Sequence, residues 1–190
     1  MEIKDMLNNY GIIGIVSSYN SNIKDVKIKE LEIKNISNAL KMVGLSFEYL
    51  NVLTSELTLS EKFKIDLATK LDKDIIIIGN LSKNLIYKDI EFIKKLLIKL
   101  NSEYNKKIVI IDEDINVFIN LVKCIYVIKN KSIIYSTTNF YDDELYKYVK
   151  MPKIIEFIKY VNKNNRNLNE HLDIHELIKD IYRRLSWDIC

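Results

Sequence analysis

The chain has 190 residues, a length typical of one domain, and its 29 Lys and Arg nearly balance its 26 Asp and Glu, so the net charge is +3. This balance gives no electrostatic reason to expect a nucleic-acid partner. Only four glycines, all scattered, and one proline exclude a collagen-like chain, a Gly/Pro-rich disordered chain and a glycine-rich binding loop. The polar start and the short apolar runs indicate a reduced, cytoplasmic protein without a membrane helix.

Short apolar runs predict the strands of a sheet. Gly11–Ser17, Asp74–Ile78 and Lys107–Ile111 are nearly continuous in apolar residues, a pattern typical of parallel strands that are covered on both faces. Cys124–Lys129 and Lys131–Ser136 follow as a hairpin with a tight turn between them.

Helical patterns separate these strands. Glu30–Val43 has apolar residues near one face, and Thr58-Leu-Ser-Glu61 is a capping box that begins a second helix. A third helix is indicated by apolar residues at spacings of three and four, namely Ile86, Ile90, Ile93, Leu97 and Leu100. A further helix is expected after Asp114. The alternation of strand and helix predicts an α/β fold with a parallel sheet.

After residue 138 the pattern is helical only. Pro152 suits the first turn of one helix, and Asp173-Ile-His-Glu176 is a second capping box. The helix that this box begins is expected to turn five apolar residues inward: Ile174, Leu177, Ile178, Ile181 and Leu185. We therefore predict an α/β domain over residues 1–138, with a helical insertion at about 23–72, and a helical extension over 139–190.

The order of these segments resembles that of the ATP-binding cassette (ABC) ATPases. LTLSEKFKIDLA, from Leu57 to Ala68, resembles their signature segment, and Ile75–Ile78 falls where they have the Walker B strand. Lys107–Ile111 falls where they have the strand before the switch histidine. IGIVSSYNSN (Ile13–Asn22) is similar to the glutamine-loop segment of the energy-coupling-factor (ECF) subgroup, whose helical tail is also similar. The resemblance implies a P-loop-NTPase-like sheet.

The resemblance also implies that the residues of ATP hydrolysis have been replaced. The chain has no GxxxxGKS/T phosphate loop. In the signature, Thr58 keeps a hydroxyl and Glu61 follows, but Leu59 and Ser60 stand where the family has glycines. Ser18 aligns with the glutamine of the loop, and Gly79 and Asn80 align with the two Walker B acids. Ile86 aligns with the aspartate of the following D-loop, and Glu113 aligns with the switch histidine. Neither Gly79 nor Asn80 can hold a divalent cation as a carboxylate would.

In the family, the strand before the phosphate loop is central in the sheet, between the switch-histidine strand and the hairpin. The chain is interpreted as shortened at its N-terminus and as lacking this strand. Lys107–Ile111 is then expected to pair directly with Cys124–Lys129, because two open strand edges would leave buried amides unsatisfied unless a partner covered them.

The function implied by the resemblance is that of a non-hydrolysing ABC/ECF-type subunit with no catalytic residue and no metal or cofactor of its own. Such a protein acts through contacts with an intact ABC ATPase subunit and a membrane transport component, at the inner face of the cell membrane. Thr58 and Ser60 would lie nearest to ATP and magnesium held by the partner. A homodimer is a further option. An alternative from another class is a free-standing interaction or regulatory protein that kept the fold and lost the nucleotide.

Other residues suggest weaker alternatives. Asp112-Glu113-Asp114 after a strand would suit a magnesium-dependent phosphoacceptor, but a solvated loop in which Asp114 caps the next helix is favoured. Cys124 is expected to be a packed thiol. A metal cluster at His171, His175, Asp173 and Glu176 is disfavoured because the two acids are explained by capping. Packing is favoured over nucleic-acid stacking for Tyr141, Tyr146, Tyr148 and Tyr160.

Overall fold

The computed structural model describes residues 3–19, 25–164 and 167–187, and it describes side chains for 7–19, 25–164 and 167–184. Residues 20–22 of the segment likened to the glutamine loop, and residues 23 and 24 of the expected helical insertion, lie outside this part of the chain. The helices are α1 (Ile3–Tyr10), α2 (Ile36–Met42), α3 (Leu59–Ala68), α4 (Leu81–Asn84), α5 (Tyr87–Tyr104), α6 (Lys153–Lys163) and α7 (Ile174–Trp187). The strands are β1 (Ile12–Val16), β2 (Ile75–Gly79), β3 (Lys107–Asp112), β4 (Cys124–Lys129) and β5 (Ser132–Thr137).

The five strands form one sheet in the order β2-β3-β1-β4-β5. β1 pairs in parallel with β3 on one side and with β4 on the other, so that Ile13 lies opposite Val109 and Cys124. β2 is parallel to β3, and β4 and β5 form the antiparallel hairpin. The predicted α/β class and mainly parallel sheet are confirmed.

The expectation that the sheet lacks its central strand is wrong. β1 fills the position between β3 and β4, so these two strands do not pair with each other. The Gly11–Ser17 run was correctly predicted to be a strand, but its place at the centre of the sheet was not predicted. The physical reason is that buried backbone amides and carbonyls need hydrogen-bond partners. Because β1 lies between β3 and β4, the edges of these two strands that face each other are both paired with it.

Two predicted helices differ from the structure at their first residues. Within Glu30–Val43 only α2 is α-helical, because Asn35 before it adopts a left-handed backbone with φ 50°, and a single 3₁₀ turn, Ile28–Glu30, precedes it. Ile86, expected on the buried face, is the residue before α5 and is exposed. After Asp114 the chain forms only a 3₁₀ turn, although the Asp114 carboxylate does cap it by accepting the Asn116 amide at 3.0 Å.

The sheet carries a different core on each face. On one face, alternate strand residues such as Ile76, Ile108 and Ile125 pack with α2, α3 and α5 in the main core. On the other, Leu7 of α1 belongs to a smaller cluster with Ile13, Ile15, Val109, Cys124 and Tyr126. Burial raises the pKa of the Cys124 thiol, which agrees with its predicted role as a packed side chain.

The helical extension packs against the sheet domain and against itself. Leu145 and Ile155 belong to the main core, whereas Leu177 of α7 packs with Ile158 and Leu168 in a small separate cluster. Ile174 and Ile178, both expected to be buried, are exposed because α7 turns the Leu177 stripe inward, and Leu185 lies outside the described side chains. The division at residue 138 stays a prediction. In the described part of the chain, no helix has both the length and the apolar character of a membrane span.

The close packing of Gly14 against Phe118 yields a stability prediction. Gly14 is the middle residue of the central strand, and an added Cβ would lie 3.0 Å from Cγ of the fully buried Phe118. We expect Gly14→Ala to lower the free energy of unfolding by about 1–3 kcal/mol, because the ring must shift in a packed core. Urea unfolding with Gly14→Ala and Phe118→Leu, singly and together, measures this contact. An equal cost of Gly14→Ala in both backgrounds would contradict it.

Candidate functional site

The carboxyl ends of β1, β2 and β3 meet at one edge of the sheet. In parallel α/β sheets this edge is where ligands bind, in the crevice outside the strand ends. Here the residues that follow the strands are Ser17 after β1, Asn80 after β2 and Glu113 after β3. Ser18, Gly79 and Glu113, which were singled out in the sequence, therefore all lie at this edge.

The residues directly after β1 cross this edge. The Ser17 amide donates to the Asp112 carbonyl oxygen of β3 at 3.3 Å, and the Asn80 side-chain amide donates to the Tyr19 carbonyl oxygen at 2.6 Å. The Tyr19 hydroxyl donates to the Ile77 carbonyl oxygen of β2 at 3.4 Å. Residues 17–19, which we call the strap, thus run from the central strand past β3 to the outer strand β2.

Tyr19 fits over β2 because residue 79 has no side chain. A Cβ at Gly79 would lie 2.5 Å from Cγ of Tyr19 and 2.6 Å from the Ile111 carbonyl oxygen, closer than such atoms approach each other. The Lys70 ammonium donates to the Tyr19 hydroxyl at 3.2 Å and lies 5.8 Å from the ring centroid. Lys70 is itself held by Asp66 at 2.6 Å. An acidic side chain at position 79 and the strap therefore exclude each other.

The acidic triplet after β3 does not converge. Asp112 is fully buried and accepts hydrogen bonds from the Ser82 amide and the Asp114 amide, both at 3.0 Å, and from the Ser82 hydroxyl. Glu113 is exposed and pairs with Lys83 at 2.8 Å, while Asp114 caps the following turn. These separate partners leave no shared set of oxygens of the kind that magnesium needs.

The start of α3 is closed by its own capping box, as predicted. The Thr58 hydroxyl oxygen accepts from the Glu61 amide at 3.3 Å, and Glu61 accepts from the Thr58 amide and hydroxyl, both at 2.8 Å. Tyr49 also donates to Glu61, and together with Thr58 it lowers the pKa of this carboxyl. A negative charge therefore already occupies the helix N-terminus, where an anion would otherwise bind.

Leu59 and Ser60, the next two residues of the signature, have different surroundings. The Ser60 hydroxyl donates to Asp89 of α5 at 2.7 Å, and Lys64 pairs with the same carboxylate at 3.0 Å. The hydrogen bond from Ser60 lowers the pKa of Asp89 most, and Lys64 lowers it further. Leu59, in contrast, is exposed. The structure thus joins Ser60 to α5 and leaves Leu59 on the surface.

The histidines of the helical extension are not brought together as a metal site. His171 pairs with Asp180 at 3.1 Å, whereas Asp173 accepts the amides of His175 and Glu176 at 2.8 and 3.2 Å. Burial opposes ionisation of Asp180, but the Asn169 amide, Arg184 and His171 lower its pKa to about 2. Across the residues for which side chains are described, no group of three or more His, Cys, Asp or Glu could hold a metal ion.

The sequence analysis did not identify Tyr19, Asp66 or Lys70 as residues of the strap and its surroundings. Tyr19 gave no signal, because its partners Ile77 and Asn80 lie about 60 positions away in the chain. Asp66 and Lys70 had a readable signal, since an acid and a base four residues apart pair on a helix surface.

Comparison with solved structures relates this fold to ABC cassettes. The dimeric bacterial ABC transporter cassette MJ0796 aligns with a TM-score of 0.51 and 21% identity over 72% of this chain and 67% of that one. The cassette cbiO1 of Clostridium perfringens, a part of the ABC transporter complex cbiONQ, aligns with a TM-score of 0.52 and 19% identity over 83% and 71%. No protein-family model matches the chain. No curated protein matches its sequence.

These identities are low enough that the likeness concerns the fold alone. The alignment nevertheless covers most of the chain, and it includes a cassette of the cbiO type as well as MJ0796. The resemblance that the sequence suggested is thus confirmed at the level of architecture: the chain has an ABC ATPase-like fold.

Proposed function

We propose that the chain is a non-hydrolysing protein of the ABC ATPase fold that acts through contacts, in the manner of a subunit of an ABC or ECF-type transporter. The observation that carries this proposal is the strap. Residues 17–19 lie across the carboxyl edge of the sheet, and the Tyr19 ring rests on Gly79, the position that aligns with a Walker B acid. The edge at which the fold would bind a nucleotide is covered by the chain itself.

The central position of β1 also changes how the following segment is interpreted. By its place in the sheet, the segment that begins at Ser17 corresponds to the family's phosphate loop, and we propose this in place of the glutamine-loop alignment of Ser18. A phosphate loop needs glycines that let backbone amides approach the phosphates. Here Ser17, Ser18 and Tyr19 follow the strand, and the Ser17 amide is already bonded to Asp112.

The contacts at α3 support loss of nucleotide binding there as well. The resemblance assigns Thr58, Leu59, Ser60 and Glu61 to the nucleotide of a partner, an assignment that stays a prediction. Glu61 fills the helix N-terminus, and the Ser60 hydroxyl is engaged by Asp89. A phosphate would have to displace the Glu61 carboxylate or lie beside it, and two like charges in one place are unfavourable.

The partners that we propose follow from the solved neighbours. MJ0796 is a dimeric cassette, and cbiO1 is part of the ABC transporter complex cbiONQ. A partner ATPase subunit and a membrane component are therefore the contacts that such a fold would make, and these would place the protein in the cytoplasm, beside the inner face of the membrane. ATP and magnesium would enter only through the partner.

The absence of acids at the Walker B positions predicts no ATP hydrolysis. Gly79 and Asn80 offer no carboxylate to hold magnesium or to orient the attacking water. We expect the purified chain, mixed with ATP and magnesium, to release no phosphate above the rate of the buffer alone. Release that disappears in Thr58→Ala would contradict the proposal, whereas release from a contaminating ATPase would be the same in both proteins.

The close approach of Tyr19 to Gly79 predicts that a methyl group at position 79 displaces the strap. Gly79→Ala would bring Cβ into the Tyr19 ring and the Ile111 carbonyl oxygen. We expect a loss of about 1–3 kcal/mol in the free energy of unfolding, together with faster hydrogen exchange at the Ser17 amide. Gly14→Ala is the matched control, because it adds a methyl group to the same sheet at a position that contacts Phe118 and not Tyr19. Unchanged exchange at Ser17 in Gly79→Ala would refute the predicted clash.

A further inference from the structure

β2 is an edge strand of the sheet, and it is made almost wholly of isoleucine. Its inner neighbour is β3, and no strand pairs with its outer side among the residues that the structure describes. The strand contains no charged residue, and the side chains of Ile75 and Ile77 are exposed. An apolar edge strand of this kind is a template for pairing with a further strand, which natural proteins prevent with charged or covering groups.

The hydrogen bonds between β2 and β3 show which backbone groups form the outer edge. The Lys107 amide of β3 donates to the Asp74 carbonyl oxygen at 2.9 Å, and the Asn80 amide donates to the Ile111 carbonyl oxygen of β3 at 3.0 Å. Because backbone groups alternate in direction along a strand, the even-numbered residues of this segment turn their amides and carbonyl oxygens toward β3. The backbone groups of the odd-numbered residues therefore form the outer edge: those of Ile75, Ile77 and Gly79.

The strap occupies the central acceptor of this outer edge. The Tyr19 hydroxyl donates to the carbonyl oxygen of Ile77, the middle residue of β2, at 3.4 Å, and it accepts from the Lys70 ammonium at 3.2 Å. Lys70 in turn donates to Asp66, a buried carboxylate, at 2.6 Å. A row of hydrogen-bonded groups thus runs from the buried carboxylate to the middle of the edge, and it brings a lysine ammonium close to a strand that has no charge of its own.

These contacts give the edge the protection that its own sequence lacks. A charged or bulky side chain at an edge strand blocks an incoming strand, because it occupies the pairing groups or would have to leave water. Residues 72–74, an acid, a base and an acid, guard the start of β2, whereas residues 75–82 carry no charge. Tyr19 and Lys70 lie beside this uncharged part and close it from outside the strand.

We propose that the outer edge of β2 is a strand-addition surface that Tyr19 and Lys70 hold closed, and that the strand it accepts once Tyr19 is removed is β2 of a second copy. Two antiparallel β2 strands suit each other, because a two-fold axis through Ile77 sets Ile75 of each copy opposite Gly79 of the other. No charged side chain within the two strands would then oppose a like charge. The inference goes beyond the proposed function, because it concerns the outer edge of the sheet and not its carboxyl edge.

Sedimentation velocity over about a hundredfold range of concentration tests whether Tyr19 closes the edge. We expect Tyr19→Ala to self-associate with a dissociation constant about tenfold or more below that of the unchanged chain, because the Ile77 carbonyl oxygen is freed and Lys70 loses its contact with the edge. Tyr19→Phe keeps the ring over Gly79 and loses only the hydroxyl, so we expect a smaller change in the same direction. Thermal melts establish folding, and the Phe variant decides the question if the Ala variant is unfolded. Folded variants that associate no more strongly than the unchanged chain would overturn the proposal.

A lysine placed in the strand tests whether this association runs through β2. Ile77→Lys, added to whichever Tyr19 variant associates, puts a charge in the middle of the edge and is expected to return the dissociation constant at least to that of the unchanged chain. Ile133→Lys is the matched control, because Ile133 is a similarly exposed isoleucine of β5, the strand at the other edge of the sheet. Equal weakening by the two lysines, or no weakening by Ile77→Lys, would refute pairing through β2.

Hydrogen exchange distinguishes strand pairing from another kind of contact. The Ile77 amide projects from the outer edge, so we expect it to exchange rapidly in the unchanged chain and to become protected in the associated Tyr19 variant. The Val109 amide of β3, which lies inside the sheet, is the internal reference and is expected to be protected in both proteins. Association that leaves the Ile77 amide unprotected would show that a different surface is used and would contradict the proposal.

Discussion

The packing of Tyr19 on Gly79 is the contact on which the rest of the site depends. A parallel sheet with a central β1 delivers the chain to its carboxyl edge, and the chain must leave that edge by some route. Here it leaves along the strap, over β3 and onto β2, with Asn80 and Lys70 holding Tyr19 in place. The missing side chain at residue 79 permits this route. In the proposed function, the same position is the one that would carry a metal-binding acid in an active ABC ATPase.

The strap also connects a group of residues that look unrelated in the sequence. Gly79 makes room for the Tyr19 ring, and the Asn80 side chain donates a hydrogen bond to the Tyr19 carbonyl oxygen. The Asp112 carbonyl oxygen accepts a hydrogen bond from the Ser17 amide, while the Asp112 carboxylate accepts one from the Ser82 amide. At the start of α3, Glu61 similarly closes a helix terminus that an anion would use. Both places are filled by contacts within the chain, and this is what supports the proposal of a protein that acts by its surface.

The elements of the fold were largely predictable, whereas their arrangement was not. Runs such as Asp74–Ile78 identify buried strands because both faces of a parallel sheet are covered, but an apolar run carries no information about which strand lies beside it. The central place of β1 was therefore missed. Ile86, Ile174 and Ile178 were assigned to buried faces because periodicity identifies a helix without fixing its first residue or which of two apolar stripes packs. In the candidate site, the local capping box of Thr58 and Glu61 was predictable, but the partners Tyr49, Asp89 and Tyr19 depend on contacts between distant segments.

The central claim is that the strap closes the carboxyl edge in solution, whether or not a nucleotide is present. Solution NMR measures this directly through the nuclear Overhauser effect between the Tyr19 ring protons and the Gly79 α protons. The account predicts a strong effect that persists when ATP and magnesium are added, with no shift of the Gly79 amide resonance. Loss of the effect on addition of ATP and magnesium, together with a saturable shift at Gly79, would show that the edge opens to nucleotide and would contradict the account.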